Sequence, residues 1–222
     1  MKKIPLAAIA FAALASVAHA QESDRRFKIL QQSEMTPAQK DLVKSIASGP
    51  RASVSGSAAN SGDGTVGSPF NVFLRSPELG DHLQKVGSYI RFKSTLGLRL
   101  NELAILVTAR HWTSQYEWFA HHRLALQAGL DPQIADDIAN WRRPTTMKPD
   151  EEAIYNFSSE MHAEKRVSDA TYKAVLDRFG EQGVMDLIAV NGYYSLISMV
   201  LNVDRTPIPG GGKPPLAVQP GK

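Results

Sequence analysis

The chain has 222 residues, of which 43% are hydrophobic and 21% are charged, and its formal net charge is +3. This length and composition fit one globular domain with a substantial core and exclude a disordered or fibrous protein. The small net charge gives no reason to expect a nucleic-acid partner. Because the chain has no cysteine, thiol redox chemistry, thiolate metal sites and cysteine nucleophiles are excluded.

The N-terminus has the parts of a secretory signal peptide over residues 1–20. Lys2 and Lys3 form a positive start, an apolar stretch follows, and Ala18-His19-Ala20 offers small residues for cleavage. The apolar stretch is shorter than the ~20 residues of a membrane span, so a retained anchor is the less favoured alternative. We therefore expect an exported, periplasmic protein that begins near Gln21, carries a formal charge of +1 and does not associate with membranes.

Capping residues and helical spacing predict an all-α fold of about seven to eight helices, with one domain over 21–205. The first helix should follow Thr36, which forms a capping box with Gln39, and should end before Gly49. Residues 49–69 are rich in Gly, Ser and Ala and show no periodicity. Such a stretch predicts a flexible loop, either simply disordered or closing over a site.

The remaining helices follow in chain order, and no segment alternates like a strand. The helix at 98–111 is apolar almost all round, so it should lie at the centre of the fold. The Pro/Gly-rich tail, 206–222, should be extended or mobile. One expected helix starts near Ser76 and has its apolar positions at Leu79, Leu83, Val86 and Ile90. A short one starts at Asp131-Pro132. The others are expected over Ser114–Ala128, Lys148–Ala163, Ser168–Phe179 and Gly183–Val203.

Glu102 lies in register with an apolar line on the 98–111 helix. A carboxylate that is partly removed from water must be paired with another group or serve a function. The alternative is structural, because a carboxylate near a helix start interacts favourably with the helix dipole.

Glu117 and His121 are four residues apart and therefore adjacent on one helix face, with His121 on the apolar side. A Glu–His pair can orient an imidazole for proton transfer near neutral pH. The structural alternative is that Ser114 and Glu117 form a capping box that only satisfies the helix start.

Other residues could bind a substrate. Arg75, Arg91 or Arg110 could hold a carboxylate through the guanidinium fork, although each alone is more often a solvated surface charge. Ser114 is a further candidate for substrate binding. Aromatic residues that could line a pocket, or simply belong to the core, are Phe70, Tyr89, Trp112, Tyr116 and Trp118.

A metal site is the last possibility that the sequence raises, because His111, Glu117, His121 and His122 lie close together in the chain. No two of these histidines have the i, i+4 spacing of a helical zinc motif. We therefore expect neither a metal nor a cofactor.

The spacing of Glu102, Ser114, Glu117 and His121 resembles the pattern Glu-x11-Cys-x2-Cys-x3-His of alkylhydroperoxidase D, with Ser114 and Glu117 in place of the two cysteines. Four segments are similar to the carboxymuconolactone decarboxylase-like group, and the resemblance covers roughly residues 68–205. These segments are SPFNVFLRSPEL (68–79), ELAILVTARHW (102–112), EWFAHHRLALQAGL (117–130) and GYYSLISMVLN (192–202).

The resemblance implies a compact alkylhydroperoxidase D-like helical domain that assembles into a homo-oligomer. Peroxide reduction in that family needs a thiolate, so this chain is not expected to be a thiol peroxidase. The decarboxylase branch needs no cysteine. It implies a cofactor-independent lyase or isomerase for a small lactone or carboxylic acid, with His121 as the acid and Glu102 or Glu117 setting its tautomer.

Two features count against the dedicated decarboxylase, which is cytoplasmic and shorter than this chain. The alternative is an exported, non-catalytic protein that binds a small molecule in the same pocket.

Overall fold

The structure is a computed structural model that describes residues 24–50, 58–59 and 61–218. This part of the chain is all-helical, with eight α-helices and no strand. The predicted signal peptide and residues 51–57 and 60 of the predicted loop lie outside it. The helices are α1 (Pro37–Ala47), α2 (Phe70–Phe73), α3 (Pro77–Lys93), α4 (Leu98–His111), α5 (Gln115–Gln127), α6 (Pro132–Ala139), α7 (Pro149–Glu164) and α8 (Asp169–Asp204).

Helix α4 lies at the centre of the fold, as its sequence predicts. Every residue from Leu100 to Arg110 is buried, and α4 packs against α5, α7 and α8. A helix that is apolar almost all round can remove that surface from water only by packing on several sides at once. Polar side chains on α4 are therefore held inside the protein.

Local signals set several helix ends where the sequence predicts them. The Thr36 hydroxyl accepts a hydrogen bond from the Gln39 backbone N–H at 3.4 Å, and the Gln39 side chain accepts one from the Thr36 N–H at 2.9 Å. Gly180 interrupts α8 with a φ of 65°, which glycine adopts without strain. This break separates the two helices that the sequence predicts on either side of it.

The face that α3 buries differs from the one its apolar spacing predicts. Leu79 and Val86 belong to the predicted apolar line, yet they are 54% and 47% exposed. A Cβ atom at Gly80 would lie 2.8 Å from the Phe73 carbonyl oxygen. Helix α3 thus uses glycine to approach its neighbours closely, and Leu79 and Val86 of its apolar line are turned toward solvent. The buried residues of α3 are Gly80, Gln84, Gly87 and Ile90.

One described helix, α8, is long and apolar enough to cross a membrane by length and composition. In its most apolar window, however, 56% of the residues are buried inside the protein. The buried core helix of a protein can be equally long and apolar, so the length and composition of α8 are weak evidence for a membrane span.

The two ends of the described chain meet at Asp204, the last residue of α8, which is fully buried. The Arg25 guanidinium donates to Asp204 Oδ2 at 2.6 Å, and the Phe27 N–H donates to Oδ1 at 3.1 Å. The Ser68 and Thr206 hydroxyls also donate to Oδ2, at 2.9 and 2.7 Å. This carboxylate therefore joins the N-terminal segment, the loop before α2 and the C-terminal tail.

The described part of the tail is held against the protein. Gln115 accepts a hydrogen bond from the Leu216 N–H at 2.9 Å and donates one to the Leu216 carbonyl at 2.8 Å. The Leu216 side chain is only 1% exposed and belongs to the core. The tail is thus anchored at Leu216, close to the start of α5.

Candidate functional site

Helices α4 and α5 bring the three predicted catalytic residues together. His121 Nδ1 lies 2.6 Å from Glu102 Oε2, and His121 Nε2 lies 3.1 Å from Glu117 Oε1. All three side chains are buried. Glu102 reaches the imidazole from α4, whereas Glu117 and His121 lie one helical turn apart on α5.

The two carboxylates contact the imidazole differently. The contact between His121 and Glu102 is a short hydrogen bond, which fixes the orientation of the ring. Glu117 Oε1 is close enough for an ion pair, but it is not aligned for a hydrogen bond. Glu102 therefore orients the imidazole, and Glu117 acts on it mainly through charge.

The carboxylates also decide the protonation state of His121. Burial lowers the pKa of His121, but the attraction of Glu102 and Glu117 outweighs burial and raises the pKa to about 9. An imidazole with this pKa carries a proton on both ring nitrogens at neutral pH. The site therefore holds an imidazolium between two carboxylates.

The capping-box alternative for Ser114 and Glu117 is not what the structure shows. Ser114 is the N-cap residue of α5, but its side chain makes no capping hydrogen bond. The Glu117 side chain is turned to His121 instead. The Ser114 hydroxyl is fully buried and has no hydrogen-bond partner in the described part of the chain.

A cavity of about 590 Å³ lies beside this group, a size that suits a small organic ligand. Glu117 and His121 line the cavity, whereas Glu102 lies behind the imidazole and does not reach it. A ligand in the cavity would meet Glu117 and His121 directly. The cavity is also lined by Arg91, Tyr116, Trp118, Tyr193 and Tyr194.

Of the predicted carboxylate-binding arginines, only Arg91 lines this cavity. Arg75 donates hydrogen bonds to the carbonyl oxygens of Asn71 and Lys28 and thereby holds the N-terminal segment. Arg110 is buried against the ring of Trp141 at 4.6 Å and donates to a tail carbonyl. Arg75 and Arg110 therefore have structural contacts away from the cavity.

Only some of the predicted aromatic residues line the cavity. Tyr116 lines the cavity, as do Phe70 and Trp118. Trp112 and Ser114 do not reach it, and Tyr89 lies in a separate cleft near Lys85 and Lys93. The predicted wall of the pocket is therefore correct in part.

Sequence reasoning missed Tyr194 on α8. Its ring stands edge-on to the His121 ring, with centroids 5.0 Å apart, and edge-on to the Tyr193 ring at 5.3 Å. Burial, followed by the charges of Glu102 and Glu117, raises the pKa of Tyr194 well above its usual value. The only sequence signal was a pair of tyrosines within an otherwise apolar helix.

A second buried histidine lies on the other side of α4. His162 Nε2 is 2.9 Å from the Thr108 hydroxyl, and the ring of His111 stacks on it at 4.7 Å. Burial, with a smaller contribution from His111, lowers the pKa of His162 to about 4. His111 thus pairs with His162 rather than with His121, and the described residues contain no group of three or more side chains suited to holding a metal.

A comparison with protein-family models found no match for this chain, and a comparison with curated proteins found none. The resemblance to the carboxymuconolactone decarboxylase-like group therefore stays a prediction.

Proposed function

We propose that this protein is a cofactor-independent lyase or isomerase that acts on a small lactone or carboxylic acid by proton transfer. The observation that supports this proposal is the position of His121, held between two buried carboxylates in the wall of a cavity of about 590 Å³. Buried acid–base groups with strongly altered pKa values occur most often at functional sites.

The arrangement suggests a division of labour. Glu102 holds Nδ1 and stays behind the ring, out of reach of a ligand. Glu117 and His121 line the cavity, and Nε2 of His121 lies 3.1 Å from Glu117 Oε1. Loss of CO2 from a substrate would leave the C–C electron pair as an enolate, and a proton passed from this pair to carbon would complete the reaction. Return of a proton to the pair from solvent would restore the site.

Arg91 gives the proposal its second element, because it can bind a substrate carboxylate. It lines the same cavity, and no described carboxylate forms an ion pair with it. Aromatic side chains line the same cavity, and electrostatic interactions are stronger in an apolar environment than in water.

The test is turnover of carboxymuconolactone-type acids, followed by ultraviolet absorbance and by mass spectrometry of the product. We expect His121→Gln to lower turnover by about 10²–10⁴-fold, the usual contribution of a general acid. The matched control is His82→Gln, an exposed histidine on α3 outside the cavity, which should keep wild-type turnover. Equal turnover in the His121→Gln variant and the wild type would remove the proposed role.

One observation favours a non-catalytic alternative, an exported protein that binds a small molecule. A pKa of about 9 means that His121 holds its proton firmly at neutral pH, whereas general acids work best with a pKa near the ambient pH. Ligand-dependent thermal stabilisation without any product would favour this alternative, because a ligand of the native state raises its stability. Product detected by mass spectrometry would contradict it.

We also propose that the protein forms a homo-oligomer. The second half of α8 exposes apolar side chains at intervals that place them on one face: Met185, Ile188, Met199 and Val203. An exposed apolar stripe of this kind is typical of helix–helix interfaces. Light scattering should give a mass of more than one chain, and a mass equal to one chain would contradict the proposal.

A further inference from the structure

Tyr194 is fixed in place beside the acid–base pair. Two edge-to-face ring contacts, to His121 and to Tyr193, set the orientation of its ring. The residue is only 4% exposed, yet it lines the cavity. Its hydroxyl oxygen is not completely buried, so it remains accessible from the cavity.

The hydroxyl of Tyr194 has no hydrogen-bond partner within the described residues. A polar group removed from bulk water without a partner costs free energy, which a ligand oxygen can recover. Since the pKa of Tyr194 is raised well above its usual value, the phenol keeps its proton at any ordinary pH. The group can therefore donate a hydrogen bond but does not give the proton away.

Charges of both signs surround the Tyr194 phenol. The negative charges of Glu102 and Glu117 act on the phenol more strongly than the positive charge of Arg91 does. Of these three residues, Glu117 and Arg91 line the cavity together with Tyr194. A neutral donor near a cation stabilises an oxygen that becomes an enolate, as in an oxyanion-binding site. The His121 ring lies beside the Tyr194 ring, with centroids 5.0 Å apart. A proton could be exchanged there at the ligand carbon next to the carbonyl.

We propose that Tyr194 donates a hydrogen bond to the carbonyl oxygen of a ligand that carries a carboxylate, with the carboxylate held by Arg91. This inference rests on the proposed function and deepens it. When a proton leaves the carbon next to the carbonyl for Glu117, the C–H electron pair becomes the C=C bond of an enolate. The carbonyl electron pair moves to the oxygen that Tyr194 contacts, and return of the proton reverses the step.

The test compares two ligands that differ by one oxygen, levulinate, a keto acid, and pentanoate, the same acid without the ketone. Isothermal titration should show that the wild type binds levulinate about tenfold more tightly, the worth of one buried hydrogen bond. Tyr194→Phe should bind both acids equally. Arg91→Gln should weaken both while keeping the ratio between them.

The matched control is Tyr155→Phe, which also removes one tyrosine hydroxyl, on α7 and outside the cavity. It should keep the wild-type preference. A preference that persists in Tyr194→Phe would overturn the inference, as would a wild type that binds neither acid or both equally. Far-ultraviolet circular dichroism of each variant verifies that it is folded.

Exchange of the protons beside the ketone of levulinate with D2O, followed by proton NMR, tests the proposed function separately. Preferential binding that depends on Tyr194 but occurs without exchange would support the inference on ligand recognition and contradict proton transfer. Exchange that is lost in His121→Gln but unchanged in Tyr194→Phe would support proton transfer and contradict the role of Tyr194.

Discussion

The two buried histidines that flank α4 show how neighbouring groups decide the state of the same side chain. His121 lies between two carboxylates, and its pKa is raised to about 9. His162 lies among the neutral side chains of Thr108 and Asn191 and beside His111, and its pKa is lowered to about 4. Burial acts in the same direction on both. The charge of the partners therefore separates a protonated histidine from a neutral one.

The largest expected effect is the difference between the two titrations. In nitrogen-15 NMR spectra at neutral pH, we expect His121 to be an imidazolium and His162 to be a neutral imidazole. His121 should lose its proton only near pH 9, and His162 should gain one only near pH 4. Both rings titrating near pH 6.5 would contradict the comparison.

Removal of one carboxylate should be the most costly substitution. Glu102→Gln leaves the buried imidazolium with a single charged partner, so we expect the free energy of unfolding to fall by about 3 kcal/mol. Urea denaturation at neutral pH measures this loss. Glu181→Gln, an exposed position on α8, is the control and should change stability by less than about 0.5 kcal/mol. An equally small change in Glu102→Gln would show that the Glu102–His121 pair contributes nothing to stability.

The two histidines should destabilise the protein at opposite ends of the pH range. The lowered pKa of His162 means that the unfolded chain binds its proton first as the pH falls. Stability should therefore decrease from about pH 6.5 toward pH 4, by about 3 kcal/mol from this residue.

The raised pKa of His121 has the opposite sign. Its contribution is fully present below pH 6.5 and is lost as the pH rises through about 9. Denaturation curves of His162→Gln should be flatter on the acid side than those of wild type, whereas the alkaline side should be unchanged. An acid side that is equally steep in both proteins would assign the loss to other groups.

The smallest effect concerns the neutral network around His162. The Thr108 hydroxyl bonds His162 Nε2 at 2.9 Å, the Ala104 carbonyl at 2.9 Å and Asn191 Oδ1 at 3.2 Å. Thr108→Val keeps the shape and removes these bonds, so we expect a loss of about 1–2 kcal/mol by urea denaturation. The control is Thr145→Val, at an exposed position. Thr95→Val is less suitable because the Thr95 hydroxyl also bonds a buried carboxylate.

The helices could be predicted from local chemistry, because capping residues, prolines and glycines act within a few positions of the chain. The Glu102–His121 contact could also be predicted, since each residue lies on the apolar side of its own helix. The buried face of α3 could not be predicted, because it includes two glycines and a glutamine, and the close contact of Gly80 appears only when α2 is in place. The choice of Arg91 and the importance of Tyr194 likewise depend on how α3 and α8 cross α5, which no local pattern specifies.

The contacts of Asp204 have a consequence for how this chain becomes a protein. Its bond with Arg25 joins residues 179 positions apart, so this one contact of the N-terminal segment cannot form until the last helix has been made. If residues 1–20 direct export as predicted, a chain that is still emerging from the ribosome cannot complete this junction. The junction at Asp204 would then form only after the whole polypeptide has crossed.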